Sequence, residues 1–302
     1  MPVVQLNFDG QVAVVTGAGG GLGRAHALEL ARRGARVVVN DVGGATDGAG
    51  SSALPAQRVA DEITAAGGVA IASTDTVATP EGGASIVATA VEAFGTVHVV
   101  VNNAGILRDG TIRKLTAHDL QQVLAVHVAG AFHVTQPAWE LMREQNHGRI
   151  INTSSGSGLF GNFGQANYAT AKMGLVGLTR ALSLEGRKHN IKVNAIVPVA
   201  ATRMTERLLG EAEAARLAPE QVAPLVAYLA HGDCAATGEV YSVGAGRVAR
   251  VLIGITAGYR GDELSAESVR DHFEDIQRSD RFVLPRNVVE EMREMLGAPA
   301  RR

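Results

Sequence analysis

Short runs of β-branched and apolar residues alternate with longer stretches of helical periodicity, and this alternation limits the possible folds more than any other feature of the chain. The runs at 12–16, 36–40, 69–73, 97–102, 149–153 and 192–197 are nearly all apolar, the pattern of parallel strands buried on both faces. Helical stretches at 22–33, 55–66, 80–94, 120–144 and 167–188 fill the gaps between them. Strand-then-helix order at this spacing predicts a doubly wound α/β sheet with right-handed crossovers and helices on both faces. A further strand at 239–243 brings the expected sheet to about seven strands. The 302 residues accommodate one large domain, taken as 1–246, with a C-terminal extension at 247–302 that is rich in Arg, Asp and Glu. In that tail Ser265 with Ser268 reads as a capping box, and a second helix is expected near 285–295.

Composition removes several function classes. Net charge is −2, so no basic face for nucleic acid or an anionic membrane is expected. No apolar run approaches the length of a bilayer span. One cysteine, Cys234, excludes an intramolecular disulfide and reads as a small buried hydrophobe. With no signal-peptide pattern at the N-terminus, a cytoplasmic location is expected. The histidines show no metal-ligand spacing, so no metal is expected.

Glycine is in excess: 36 residues, about 12%, against roughly 7% in average usage. Residues 16–23 read TGAGGGLG, directly after the first strand and at the start of the first helix. Gly17, Gly21 and Gly23, with Leu22 between the last two, suit a tight turn. The backbone there can approach a pyrophosphate facing a helix N-terminus. Asp41 ends the second strand, 18 residues after Gly23. A carboxylate there can accept from both adenine-ribose hydroxyls and repels a 2′-phosphate, which favours NAD over NADP. After it, residues 42–54 form a glycine-rich loop longer than usual.

The remaining chemistry sits in three short motifs. Asn102–Gly105 is NNAG at the end of the fourth strand, Ser155 lies 13 residues before Tyr168, and Tyr168 and Lys172 form YxxxK. The last two share a helix face at i, i+4. Tyrosine, with an ordinary pKa near 10, is a poor acid–base group at neutral pH, and a neighbouring ammonium is expected to lower it. Ser155, just past a strand C-terminus, can donate to a carbonyl oxygen.

In this order and spacing the motifs resemble the short-chain dehydrogenase/reductase family over roughly residues 8–246. The resemblance implies a single Rossmann-type domain and a dinucleotide held by the glycine turn, by Asn103, Ala104 and Gly105, and by Tyr168 and Lys172. It implies that Tyr168 shuttles the proton, Lys172 tunes it and Ser155 orients the carbonyl. It further implies adenine contact at Asp75, an amide contact at Thr202, and a homodimer or homotetramer paired through the two longest helices. Many members carry an asparagine where this chain has His127, which reads as a relay or water-holding group whose titration could add a pH dependence.

Narrower stretches point further: NDVGG at 40–44, VVVNNAGILRD at 99–109, GNFGQANY at 161–168 and EGRKHNI at 185–191. They resemble the (3R)-hydroxyacyl-CoA dehydrogenase unit of the peroxisomal multifunctional enzymes type 2, also called 17β-hydroxysteroid dehydrogenases type 4. The resemblance implies NAD-dependent oxidation of a (3R)-hydroxyacyl-CoA in lipid metabolism. A 17β-hydroxysteroid alcohol and 3-ketoacyl-carrier-protein reduction are the alternative chemistries, and Asp41 argues against the second because it usually uses NADPH. A catalytically silent dinucleotide-binding scaffold is the alternative class, disfavoured by the intact Ser155, Tyr168 and Lys172.

Overall fold

The structure, a computed structural model, describes residues 5–201, 216–261 and 263–296. Its contacts divide the chain into two compact units, at Arg250 and Val251.

The first unit is built on strands β1 (Val12–Thr16), β2 (Arg36–Asn40), β3 (Val69–Ser73), β4 (Val99–Asn102), β5 (Gly148–Thr153), β6 (Ile191–Pro198), β7 (Val240–Gly244) and β8 (Arg247–Val251). They form one sheet in the order β3-β2-β1-β4-β5-β6-β7-β8. Every recorded pairing from β3 across to β7 is parallel. The order reverses between β1 and β4, which opens a crevice beyond their C-terminal ends. Around the sheet lie α1 (Gly21–Arg32), α2 (Leu54–Ala65), α3 (Pro80–Phe94), α4 (Ala117–Leu124), α5 (Gly130–Glu144), α6 (Gly156–Phe160), α7 (Ala166–Glu185) and α8 (Ala223–Ala230).

The continuous apolar strands feed two cores because successive side chains leave a strand on opposite faces. Ala13, Val15, Val37 and Val39 join Leu30 of α1, Ile63 of α2 and Val226 of α8. Val12, Val14 and Val38 join Ile86 of α3 and Val134 and Met142 of α5 on the other face. The Arg149 side chain is fully buried without a carboxylate; its guanidinium donates to the carbonyls of His231, Gly232, Gly148 and Asn190. His26 on α1 is also fully buried, and neither ring nitrogen has a partner. Burial alone pushes its pKa down to about 3, because the charged imidazolium loses its hydration.

Two sequence expectations differ from the fold. The sheet has eight strands, not about seven. Ala245 and Gly246 both take positive φ (49° and 75°), so a two-residue turn of the kind that suits hairpins returns the chain beside β7 as β8. The alternating Arg and Val of β8 fall at the start of the stretch expected as a C-terminal extension. The single helix expected at 120–144 is also interrupted. It starts at Ala117 through a capping box between Thr116 and Asp119, then widens into a π-turn over Ala125–Ala129 before α5. Periodicity reports which face is apolar, not how many residues each turn holds, so the widening is silent in sequence.

The second unit is small. β9 (Ile255–Thr256) and β10 (Phe282–Val283) pair antiparallel, and α9 (Ala266–Asp271), α10 (Phe273–Gln277) and α11 (Val288–Met295) bury no residue. Ser265 and Ser268 form the capping box of α9. Tyr259 stacks on His272 at 3.8 Å, and Arg260 donates to the terminal carbonyls of Glu294 and Met295. Among the described residues no helix is long and apolar enough to cross a membrane.

Candidate active site

A cavity of about 480 Å³ runs along the C-terminal ends of the central strands. Its walls extend from Gly17, Gly21 and Leu22, past Asp41, to Ser155, Tyr168 and Lys172.

At one end, the turn from β1 into α1 leaves no room for a side chain at Gly17 or Gly23. Gly17 has φ of 63°, and a Cβ there would stand 2.7 Å from the Cα of Ala104. A Cβ on Gly23 would collide with the carbonyl of Gly17 and stand 2.6 Å from Asn103 Nδ2. Thr16 ties this turn to the end of β4: its hydroxyl accepts from the amides of Asn103 (3.0 Å) and Ala104 (3.1 Å). Asn103 Nδ2 donates back to the carbonyls of Thr16 and Gly17. Sequence reading had not singled out Thr16, whose role depends on a strand 85 residues away.

Asp41 lines the cavity next. Its Oδ2 accepts from the amide of Gly19 at 2.8 Å and its Oδ1 from Gly43 at 2.7 Å. The carboxylate is therefore fixed, and each oxygen keeps a second lone pair for a hydroxyl. The loop at 42–52 lies along this end. The carbonyl of Thr46 accepts from Leu107 at 2.9 Å, and Gly44, Ala45 and Gly48 form part of the wall. Asp75 is absent from the cavity wall. Its carboxylate accepts from Ser85 at 2.9 Å and its carbonyl from Asn40 at 2.9 Å, while Thr76, Val77 and Ala78 form the wall there. Thr202 lies outside the described residues.

At the other end, Ser155, Tyr168 and Lys172 converge. Ser155 and Tyr168 both line this end of the cavity, and Lys172 Nζ lies 5.5 Å from the centre of the Tyr168 ring. Lys172 is buried and donates to the Thr153 carbonyl at 2.6 Å. The hydroxyl of neighbouring Ser154 is occupied differently, donating to the Lys172 carbonyl at 2.7 Å.

The protonation balance differs from the sequence expectation. Tyr168 is pushed up to about 12, chiefly by burial, with the Ser155 hydrogen bond pulling down and Asp109 adding to the rise. Lys172 is pushed down to about 7 by burial. Each charged form loses its hydration on burial. Proximity alone therefore does not make Tyr168 acidic.

His127 sits in the π-turn with its ring edge-on to Tyr168, centres 5.3 Å apart. Nε2 lies 2.9 Å from the Ile106 carbonyl, and Nδ1 is buried without a partner. A Cβ on Gly105 would collide with the ring, so that glycine is what lets the imidazole into the wall. Burial and Lys172 hold the His127 pKa well below its usual value, against a smaller opposing effect of the Ile106 backbone. Burial therefore favours the neutral imidazole.

Residues 11–212 match the short chain dehydrogenase family. The chain belongs to that family. The short chain dehydrogenases are oxidoreductases that use a nicotinamide dinucleotide, and the turn whose Gly17 and Gly23 admit no Cβ, opening into the cavity, suits such a cofactor. The chain is 47% identical over 293 residues to peroxisomal multifunctional enzyme A of Dictyostelium discoideum, covering 97% of this chain and 66% of that protein. Full-length peroxisomal multifunctional enzyme type 2 of Drosophila melanogaster superposes with a TM-score of 0.82 at 37% identity, over 97% of this chain and 50% of that one. A short chain dehydrogenase from Mycobacterium avium gives 0.79 at 42% identity, over 91% and 98%. The chain thus spans about two thirds or less of the multifunctional relatives, but nearly all of the mycobacterial one.

Proposed function

We propose that the chain oxidises a (3R)-hydroxyacyl-CoA to the 3-ketoacyl-CoA, with NAD as the hydride acceptor. The observation that carries the reaction type is the convergence of Ser155, Tyr168 and Lys172 at one end of a cavity whose other end holds the fixed carboxylate of Asp41. The acyl-CoA substrate rests on the extended similarity to the multifunctional enzymes.

Gly17, Gly21, Leu22 and Gly23 would hold the pyrophosphate, Asp41 the adenine ribose, and Asn103, Ala104 and Gly105 the middle of the dinucleotide. When bound, the nicotinamide ring supplies the hydride-accepting carbon. Ser155 donates to the substrate oxygen and fixes it beside Tyr168. Tyr168 takes the hydroxyl proton as general base. Lys172 stabilises the phenolate that this requires, and the phenolate in turn favours the ammonium, so each charge offsets the burial cost of the other. His127 presents its unpartnered Nδ1 beside this pair, a polar atom suited to hold a water.

Two further parts of the reading are proposals. Phe132 on α5 and Met173 and Leu184 on α7 stay exposed, so we take these helices as the contact of a homodimer or tetramer. A cytoplasmic location is retained for this chain; "peroxisomal" belongs to the names of eukaryotic relatives.

The test is turnover of matched 3R and 3S hydroxyacyl-CoAs with NAD and NADP, with a 17β-hydroxysteroid as comparison. Turnover of the 3R thioester with NAD is expected. Turnover restricted to the 3S isomer, to NADP or to the steroid overturns the reading.

A further inference from the structure

The glycine-rich loop at 42–52 has no part in the proposed chemistry, yet it is a folded unit. Its feet are pinned together. The Ser52 amide donates to the Val42 carbonyl at 2.8 Å, and the Asp41 carboxylate accepts from the Gly43 amide at 2.7 Å. Gly43 has φ of 68°, and a Cβ there would collide with the Ser52 carbonyl, so this base closes only on glycine. The tip turns back on itself. Ala45 donates to the Ala49 carbonyl at 2.8 Å, and Gly48 donates to the Ala45 carbonyl at 3.0 Å. Close ends and self-packing make this an Ω-loop. The sheet decides what the loop crosses. It leaves from the end of β2, and its tip is held on the segment after β4. There the Thr46 carbonyl accepts from Leu107 at 2.9 Å, and a Cβ on Gly48 would stand 3.3 Å from Ile106 Cδ1. β1 lies between β2 and β4, so the loop bridges two strand spacings, about 10 Å, across the end of β1. That end is the glycine turn. Gly44, Thr46 and Gly48 of the loop line the same cavity as Gly17 and Gly21 of the turn. The Thr46 hydroxyl has no hydrogen-bond partner among the described residues.

Resting on the dinucleotide reading above, we propose that the loop at 42–52 is a strap over the cofactor's pyrophosphate, with the Thr46 hydroxyl donating to a phosphate oxygen. A dinucleotide reaching from Asp41 to Tyr168 carries its pyrophosphate past the glycine turn, beneath the bridge. The turn then holds the phosphates from one side and the loop closes on them from the other. A hydroxyl donating to an anionic oxygen is among the stronger hydrogen bonds. The base and the tip of the loop are held unequally. Asp41 and Ser52 lock the base, while the tip rests on one backbone hydrogen bond to Leu107 and on the Ile106 side chain. The tip is therefore the part that lifts, and dinucleotide exchange passes through that opening.

The experiment measures NADH dissociation by stopped-flow fluorescence, with excess NAD as the displacing ligand. It compares the parent chain, Thr46→Ala, Thr46→Ser and a chain lacking residues 45–49. A Cβ on Gly44 would stand 3.0 Å from the Gly50 carbonyl oxygen, so joining Gly44 to Gly50 keeps the base and the Asp41 contact. NADH is expected to leave the shortened chain about tenfold or more faster, and Thr46→Ala roughly three- to tenfold faster. Thr46→Ser is expected to restore the parent rate. Adenosine, which has no phosphate, is expected to compete for all the chains alike. Unchanged NADH release from both the shortened chain and Thr46→Ala overturns the strap. So does an equal loss of adenosine affinity, because the loop would then act by holding Asp41. Faster release from the shortened chain alone supports the bridge and overturns the Thr46 contact. If the shortened chain does not fold, Thr46→Ala and its serine rescue decide. If the parent binds NADPH and not NADH, the cofactor proposed above is wrong, and the same rates with NADPH decide the strap, since both carry the pyrophosphate. Binding of neither overturns both.

Discussion

The fully buried His26 makes stability depend on pH in a way a single substitution can isolate. Its folded pKa, about 3, lies below the unfolded value of about 6.5. The unfolded chain therefore takes up a proton that the folded chain refuses. The His26 contribution is level above about pH 7 and is lost as pH falls from 6.5 towards 3. Linkage over that interval removes about 2 kcal/mol at pH 5 and about 3 kcal/mol at pH 4. His26→Leu abolishes this loss while nearly conserving volume. It also removes two buried polar atoms that have no partner, so at pH 7.5 the variant is expected to be equal to the parent or more stable by roughly 1–3 kcal/mol. His127 and His147 are also pushed down by burial, but they are present in both proteins and cancel in the difference. The assay is urea unfolding followed by circular dichroism at pH 7.5 and pH 5.0, at one protein concentration. The gap between variant and parent should widen by about 2 kcal/mol at the lower pH. Parallel pH profiles, or a variant less stable than the parent at pH 7.5, would refute the reasoning.

Tyr168→Phe keeps the ring and removes the proton carrier, so kcat should fall by roughly 10²–10⁴ while NAD affinity by calorimetry stays within a few-fold; undiminished turnover removes Tyr168 from the chemistry. Asp41→Ala should move the NAD-to-NADP ratio of kcat/KM by about tenfold or more towards NADP, since it removes both the hydroxyl acceptor and the repelling charge; an unmoved ratio assigns ribose recognition elsewhere. Gly83→Ala would press a Cβ onto the His133 backbone where α3 packs on α5, and a loss of roughly 1–3 kcal/mol is expected in thermal unfolding. Arg149→Met strands four carbonyl acceptors around a buried guanidinium site, so stability should drop by about 3 kcal/mol or more; a change under 0.5 kcal/mol would mean that water replaces the guanidinium.

The course of the sheet was legible because buried parallel strands must be apolar on both faces, as 12–16 and 36–40 are. β8 was not: alternating Arg and Val signals an edge strand only once the positive-φ turn at Ala245 and Gly246 is known to fold it back. Ser155, Tyr168 and Lys172 were readable from spacing, and the structure brings all three to one cavity wall. Asp75 was named by resemblance, yet Ser85 and Asn40 hydrogen-bond to it and neighbouring residues form the wall. Thr16 and the carbonyl of Thr153 went unread, because their roles depend on strands and helices distant in sequence.

Local rules thus determined the strand–helix order, the glycine turn and the residue types able to move a proton, each within a few residues of chain. Only the packed structure decided their electrostatics. Burial drives Tyr168 up, Lys172 and His127 down, and leaves His26 uncharged, because the cost of charging a group depends on everything that excludes water from it.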